Sequence, residues 1–172
     1  YSVEGYYKRM SDYLDYRGGA KLLMNHHIET DVINTQGHAY GVELQVKKQV
    51  GKLNGWMSYT YSRTFLRQND KRIEKPVNNG DWYPTEYDKP HDFKFVGNYK
   101  FTHRYSMSIN VDYSTGRPTT IPAGQYYDES TQSMRVYYTE RNSYRIPDYF
   151  RTDISFNIEP SHHLTLLTHS SI

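Results

Sequence analysis

Two groups of side chains carry the residue types that chemistry needs. Asp88, His91 and Asp92 put two carboxylates and an imidazole within five residues. A His–carboxylate pair can act as a general base, but it needs a nucleophile and an oxyanion stabiliser within reach. No Ser sits in a strand-to-helix elbow near the trio, and the chain has no Cys. The other reading is a loop entering a strand, with the acids and the imidazole pairing to neighbouring strands. Arg141, Asn142, Arg145, Arg151 and Asp153 form the densest polar group. A guanidinium suits two-pronged contact with carboxylate or phosphate. The group could hold an anionic or sugar ligand at a mouth, or pin a long loop onto a wall. Strand alternation puts Arg151 and Asp153 on one face, which favours the second use.

The remaining candidates are weaker. His26-His27 and His162-His163 are adjacent pairs. Neighbours on a strand point to opposite faces, so neither pair chelates a metal by itself. They read as loop and turn histidines, and the sequence points to no cofactor. Trp82, Tyr83, Tyr126, Tyr127, Tyr137, Tyr138 and Tyr144 all fall in long inter-strand segments. Stacking on a sugar ring or an aromatic chelate is one use for them. Packing the loops against each other is the other.

These groups must be positioned by a chain of 172 residues with 21 Lys+Arg against 19 Asp+Glu. That length is one domain or a piece of a larger one. The net charge of +2 argues against nucleic acid as a partner. Mean hydropathy is −0.90, low enough to suggest disorder, yet aromatics make up 16 % with 19 Tyr. Disordered chains are poor in aromatics, whereas Tyr suits the border between water and something apolar. No aliphatic run approaches the ~18 residues of a helical membrane span. The opening residues Tyr1-Ser2-Val3-Glu4 carry no signal-peptide pattern.

The hydropathy period is two rather than 3.6. Tyr40, Val42, Leu44 and Val46 alternate with Gly41, Glu43, Gln45 and Lys47. The pattern returns in 53–65, 92–101, 105–114 and 150–159, and more weakly at the start, with Tyr1, Val3, Gly5 and Tyr7. Six strands of about ten residues follow, longer than the ~5–6 residues usual in globular sheets and close to the ~9–11 of a membrane strand. Gly51-Lys52 and Thr102-His103-Arg104 read as tight turns, and 11–36, 66–90 and 117–147 as long loops. Turns on one side and long loops on the other are the pattern of outer-membrane barrels. The apolar face would meet lipid, with Tyr59, Tyr61, Tyr99, Phe101, Tyr105 and Tyr113 as aromatic girdles. The face with Glu43, Lys47, Asp92, Lys94, Asp112, Arg151 and Asp153 would line the wet interior.

Four local patterns carry a family likeness. They are Tyr6-Tyr7-Lys8-Arg9-Met10-Ser11-Asp12 with Asp15-Tyr16-Arg17-Gly18-Gly19-Ala20; Ala39-Tyr40-Gly41-Val42-Glu43-Leu44 running on to Gly55-Trp56 and Tyr59-Thr60-Tyr61-Ser62; Tyr87-Asp88 with His91-Asp92; and Gly116-Arg117-Pro118 with Arg141-Asn142, Arg145-Ile146-Pro147 and Arg151-Thr152-Asp153. In this order the chain resembles the C-terminal half of the β-barrel of TonB-dependent outer-membrane receptors of Gram-negative bacteria. The resemblance implies an all-β fold: an antiparallel up-and-down transmembrane barrel segment, about six strands of a barrel of about 22. It also implies a receptor that binds a scarce nutrient outside and imports it with TonB-supplied energy, with no covalent chemistry. Its partners would be outer-membrane lipid, its own plug domain, the TonB energising complex and a possible surface lipoprotein. Residues 1–172 would then be a partial barrel without plug or final strands, unable to transport alone. The rival readings are a small complete outer-membrane barrel of adhesin type and a soluble β-sandwich that binds sugar.

Overall fold

A computed structural model describes residues 1–16, 32–68, 76–130 and 132–159. Both histidine pairs, the Arg17-Gly18-Gly19-Ala20 pattern and the stretch from 160 onward lie outside the described residues.

The long strands are β1 (Ser2–Tyr16), β2 (Val32–Lys48) and β3 (Leu53–Arg67). Two-residue β4 (Tyr83–Pro84) precedes β5 (His91–Lys100) and β6 (Tyr105–Ser114). Between β6 and the last strand come β7 (Pro118–Thr119), β8 (Pro122–Asp128), β9 (Ser133–Tyr138) and β10 (Tyr144–Arg145). The last strand is β11 (Tyr149–Ile158). One antiparallel sheet runs in the order β1-β2-β3-β5-β6-β11, with β4 on the edge of β3 above β5. Two small ladders, β7 with β10 and β8 with β9, stand apart from it.

Register decides which side chains share a face. Val3, Leu44, Tyr59, Phe93, Tyr113 and Phe150 form one cross-strand row through successive pairings. Leu53, Tyr99, Met107 and Phe156 form another. Every apolar set read from the sequence therefore lands on the same side. On the opposite side Ser58, Lys94, Asp112 and Arg151 line up. This arrangement is inverted relative to a water-soluble fold. Phe150, Phe156 and Ile158 are each about 70 % exposed on the apolar face (68 %, 71 % and 70 %). Among the described residues the buried hydrophobics are Ile33, Ala39, Leu66 and Tyr83, all on the polar side at the loop end. Two packed sheets, as a β-sandwich requires, are not formed by the six long strands. Among the described residues no helix is long and apolar enough to cross a membrane.

Strand length fits a bilayer. β5, β6 and β11 have 10 residues each. At a rise of about 3.4 Å and a tilt of about 40°, ten residues climb about 25 Å, the height of the apolar band of such barrels. β1, β2 and β3 run to 15, 17 and 15 residues and project further at the loop end. Sequence alternation alone cuts all three short at the loop end, because the projecting parts alternate in burial rather than in hydropathy. Ile33, Thr35, Gly37 and Ala39 are buried while Asn34 and Gln36 are exposed. β1 also carries a bulge between Met10 and Tyr13, with Asp12 at φ 54 and its carboxylate accepting from Asn34 Nδ2 at 2.9 Å. The extra residue shifts the face of everything after it. At the other end Gly51 closes the β2–β3 turn at φ 102, a conformation that glycine adopts without cost.

Candidate functional site

The loop end of the sheet is where the chemistry-bearing residues collect. β3 outruns β5, so the segment after β4 pairs along its exposed edge. Thr85 N–H donates to the Thr64 carbonyl at 3.0 Å, and Ser62 N–H to the Pro90 carbonyl at 3.2 Å. This brings Asp88 against the edge of β3. Its side chain is fully buried and takes Thr64 N–H at 2.8 Å and Arg63 Nε at 3.2 Å. Arg145, at the far end of the last long loop, closes the carboxylate from the other side. Its Nη2 reaches Asp88 Oδ2, while its Nη1 donates to the Asp88 carbonyl at 2.7 Å and the Gly116 carbonyl at 2.9 Å. One carboxylate thus joins β3, the loop before β5, and the β7–β10 ladder.

A second cluster lies on the inward face. Tyr83 is 1 % exposed and donates its hydroxyl to Asp15 Oδ2 at 3.1 Å. Arg141 reaches the same carboxylate at 3.0 Å and lies over the Tyr83 ring at 5.7 Å. Asn78 and Arg141 exchange a reciprocal pair: Arg141 N–H donates to Asn78 Oδ1 at 2.7 Å, and Asn78 Nδ2 to the Arg141 carbonyl at 3.1 Å. Asn142, at φ 55, donates Nδ2 to the Pro84 carbonyl at 2.8 Å and takes the Thr120 hydroxyl at 3.3 Å. Burial first, and then the Asp15 charge, push the Tyr83 hydroxyl above its ordinary pKa; Arg141 opposes this in part. At the rim, a hydrogen bond with Tyr13 raises the pKa of Tyr87.

A third junction ties the β6 end to the start of β11. Asp148 takes Gly116 N–H at 2.9 Å and the Tyr113 hydroxyl at 2.7 Å. The Gly116 bond is the larger cause holding the Asp148 carboxyl below the usual carboxylate range. Gly116 sits so close under the Ile146 carbonyl that a Cβ there would lie 1.7 Å from the oxygen, so no other residue fits this junction as built.

The trio Asp88, His91 and Asp92 is not brought together. Asp88 is in its clamp, and His91 faces outward, with Nδ1 2.8 Å from the Tyr59 hydroxyl. Asp92 lies on the inward face, 4.0 Å from Lys94. Arg151 and Asp153 do pair, Nε to Oδ2 at 2.9 Å, on the inward wall. The loop aromatics divide. Tyr83 is buried, and Trp82 turns outward, edge-on to His38 with ring centroids 4.4 Å apart. Tyr126, Tyr127, Tyr137 and Tyr138 lie on β8 and β9, and all four are exposed, as is Tyr144 on β10. The β8–β9 hairpin breaks what the sequence presents as one long loop. Its Tyr and Val content was the available signal. Arg63, Asn78 and Asp148, which the sequence reading passed over, and Asp15, which it quoted only within the family likeness, supply the partners in all three junctions. Among the described residues no three metal-ligating side chains converge.

An antiparallel sheet with one lipid-compatible face, one wet face, short turns at one end and tied-down loops at the other is the wall of an outer-membrane β-barrel. The chain belongs to the β-barrel family of TonB-dependent receptors: the family model described as "TonB dependent receptor-like, beta-barrel" matches residues 1–168. No curated protein and no solved structure matches it. Membership makes the chain part of an outer-membrane receptor of the transport class rather than of an enzyme family.

Proposed function

We propose that residues 1–172 form the C-terminal part of the barrel wall in a receptor that captures a scarce nutrient at its outer face and imports it with TonB-supplied energy. The observation that carries this reading is the combination of a continuous apolar outer face with loops anchored over the inward rim by Asp88, Asp15 and Asp148. Anchored loop bases hold a binding mouth in place while the loop tips stay free to meet the ligand. The tips present Tyr126, Tyr127, Tyr137 and Tyr138, whose rings suit a sugar, an aromatic chelate or a corrin face. The wet wall with Lys94, Asp112, Arg151 and Asp153 suits a plug domain held by charged contacts. A surface lipoprotein closing over the same tyrosines is compatible with this mouth.

The test is uptake by the full-length receptor in cells with and without TonB, using a ferric siderophore, cobalamin and an oligosaccharide as probes. The reading expects one probe to accumulate only when TonB is present. It also expects the Tyr126→Ala/Tyr127→Ala double variant to weaken surface binding of that probe without lowering receptor abundance. Accumulation at equal rates in both strains overturns the reading.

A further inference from the structure

The β8–β9 ribbon stands apart from the wall, and its residues are exposed on both faces. Its base is fixed. Thr139 donates its N–H and its hydroxyl to the Ile121 carbonyl at 3.2 and 3.0 Å. Next to it, Asn142 N–H donates to the Thr120 hydroxyl at 3.0 Å, and Asn142 Nδ2 to the Pro84 carbonyl at 2.8 Å. A ribbon pinned in this way presents its side chains in one orientation.

Register sorts those side chains, because residues directly opposite each other share a face. Tyr127 opposite Met134 and Gln125 opposite Val136 make one face, which Tyr138 joins by alternation. Gly124 opposite Tyr137, Tyr126 opposite Arg135 and Asp128 opposite Ser133 make the other. On this second face Tyr126 and Tyr137 are diagonal neighbours, 52 % and 64 % exposed. Gly124 lies across from Tyr137 and two residues along from Tyr126, and a Cβ added to it would meet nothing within 4 Å. Diagonal neighbours stand roughly 7–8 Å apart, the sum of two van der Waals contacts of about 3.5–4.0 Å. One ring therefore fits between the two tyrosines, over the glycine.

The remaining corner says which ring. Arg135 Nε pairs with Asp128 Oδ2 at 2.7 Å. Asp128 also takes the N–H and the hydroxyl of Ser130 at 3.0 and 2.6 Å, so the carboxylate is held in place. The charge of Arg135 is thus matched within the ribbon, and the corner does not select an anion. A guanidinium has five N–H donors, and the half-exposed Arg135 keeps donors toward solvent beside a carboxylate acceptor. A donor and an acceptor side by side suit adjacent hydroxyls. Aromatic faces suit the apolar C–H faces of a sugar.

We infer that Gly124, Tyr126 and Tyr137, with the Arg135–Asp128 pair, form a subsite for one pyranose ring of a neutral glycan. The inference rests on the nutrient-capture reading and selects the class of nutrient.

An array of neutral and acidic oligosaccharides, probed with the purified full-length receptor in detergent, tests it. At least one neutral glycan should bind. Tyr137→Ala and Arg135→Met should each weaken that binding about tenfold or more, as removal of an anchoring contact does. Gly124→Val is the sharpest variant. A β-branched residue suits a strand and has room here, so the ribbon stays folded, yet its side chain fills the floor between the rings. It too should cost at least tenfold in affinity. Met134→Gln, on the opposite face, should leave binding unchanged. Failure to bind any neutral glycan, or full affinity in Gly124→Val, overturns the subsite. Equal loss in Met134→Gln overturns the choice of face. Preference for acidic glycans, or Arg135-dependent binding of a ferric siderophore in competition with the glycan, overturns the neutral assignment. Binding is measured without TonB, so uptake that ignores TonB sinks the import reading and leaves this site standing.

Discussion

The Asp88 clamp allows a sharp test, because removing one carboxylate should free the two loop segments that it ties to β3 and nothing else. In Asp88→Asn the residue keeps its size but loses its charge. Arg63, Arg145 and the Thr64 N–H then lose their anionic partner together. Breaking a fully buried ion pair costs about 3–5 kcal/mol. Here the acid is wholly buried, while the side chains of Arg63 and Arg145 are 25 % and 31 % exposed, so both cations can turn toward water. The amide also retains part of the hydrogen bonding. A discounted cost of about 2–3 kcal/mol follows. That energy acts on loop docking rather than on the wall, because the β3–β5 and β5–β6 ladders do not pass through Asp88. Hydrogen exchange on the full-length receptor reads this directly. Amides in 84–90 and 144–147 should exchange roughly 30- to 150-fold faster, while those in 93–99 keep their protection. Unchanged exchange in both loop segments would refute the clamp as an energetic link. Equal acceleration through β5 would refute its locality. A cycle with Arg145→Gln should show strong coupling to Asp88→Asn, since both variants break the same contact.

Other consequences are equally direct. Ile109→Lys, in the middle of β6 on the apolar face, should cost about 2–4 kcal/mol and impair barrel assembly, whereas Asn110→Lys on the wet face should be tolerated; heat-modifiable mobility of the full-length receptor on gels distinguishes them. Tyr83→Phe should loosen the last loop by about 1 kcal/mol through loss of the Asp15 bond, visible as faster exchange near Asn78 and Arg141. The Tyr83 pKa is raised, so this contact is intact below the ordinary tyrosine pKa and is lost as pH rises through the folded value. The Asp148 pKa is lowered, so its junction is fully present above the ordinary aspartate pKa and is lost as pH falls through the folded value. Acid should therefore loosen the β6–β11 corner, and Asp148→Asn should show that looseness already at neutral pH with no further acid dependence, followed by exchange at 114–116.

The wall of this protein was legible because its information is local. An apolar–polar period of two, repeated over five segments, fixes strand type and the face each residue takes. Tight turns between neighbouring strands then fix order and register, which is why β6 has the bounds its alternation predicts. The family likeness rested on the same local patterns. The mouth was legible only as residue types. Asp88 and Arg145 stood out from the sequence as members of separate motifs, yet nothing local says that they share a contact across 57 positions. Asp15 and Arg141 meet across 126. Such pairs form because β3 outruns β5 and leaves an edge that the loops cover, and because the bulge in β1 resets the face on which Asp15 lies. The sequence determined what each strand shows to lipid and to water. Only the tertiary structure decided which loop residues meet, because the order of strands in space and the unequal heights of their ends are properties of the assembled sheet.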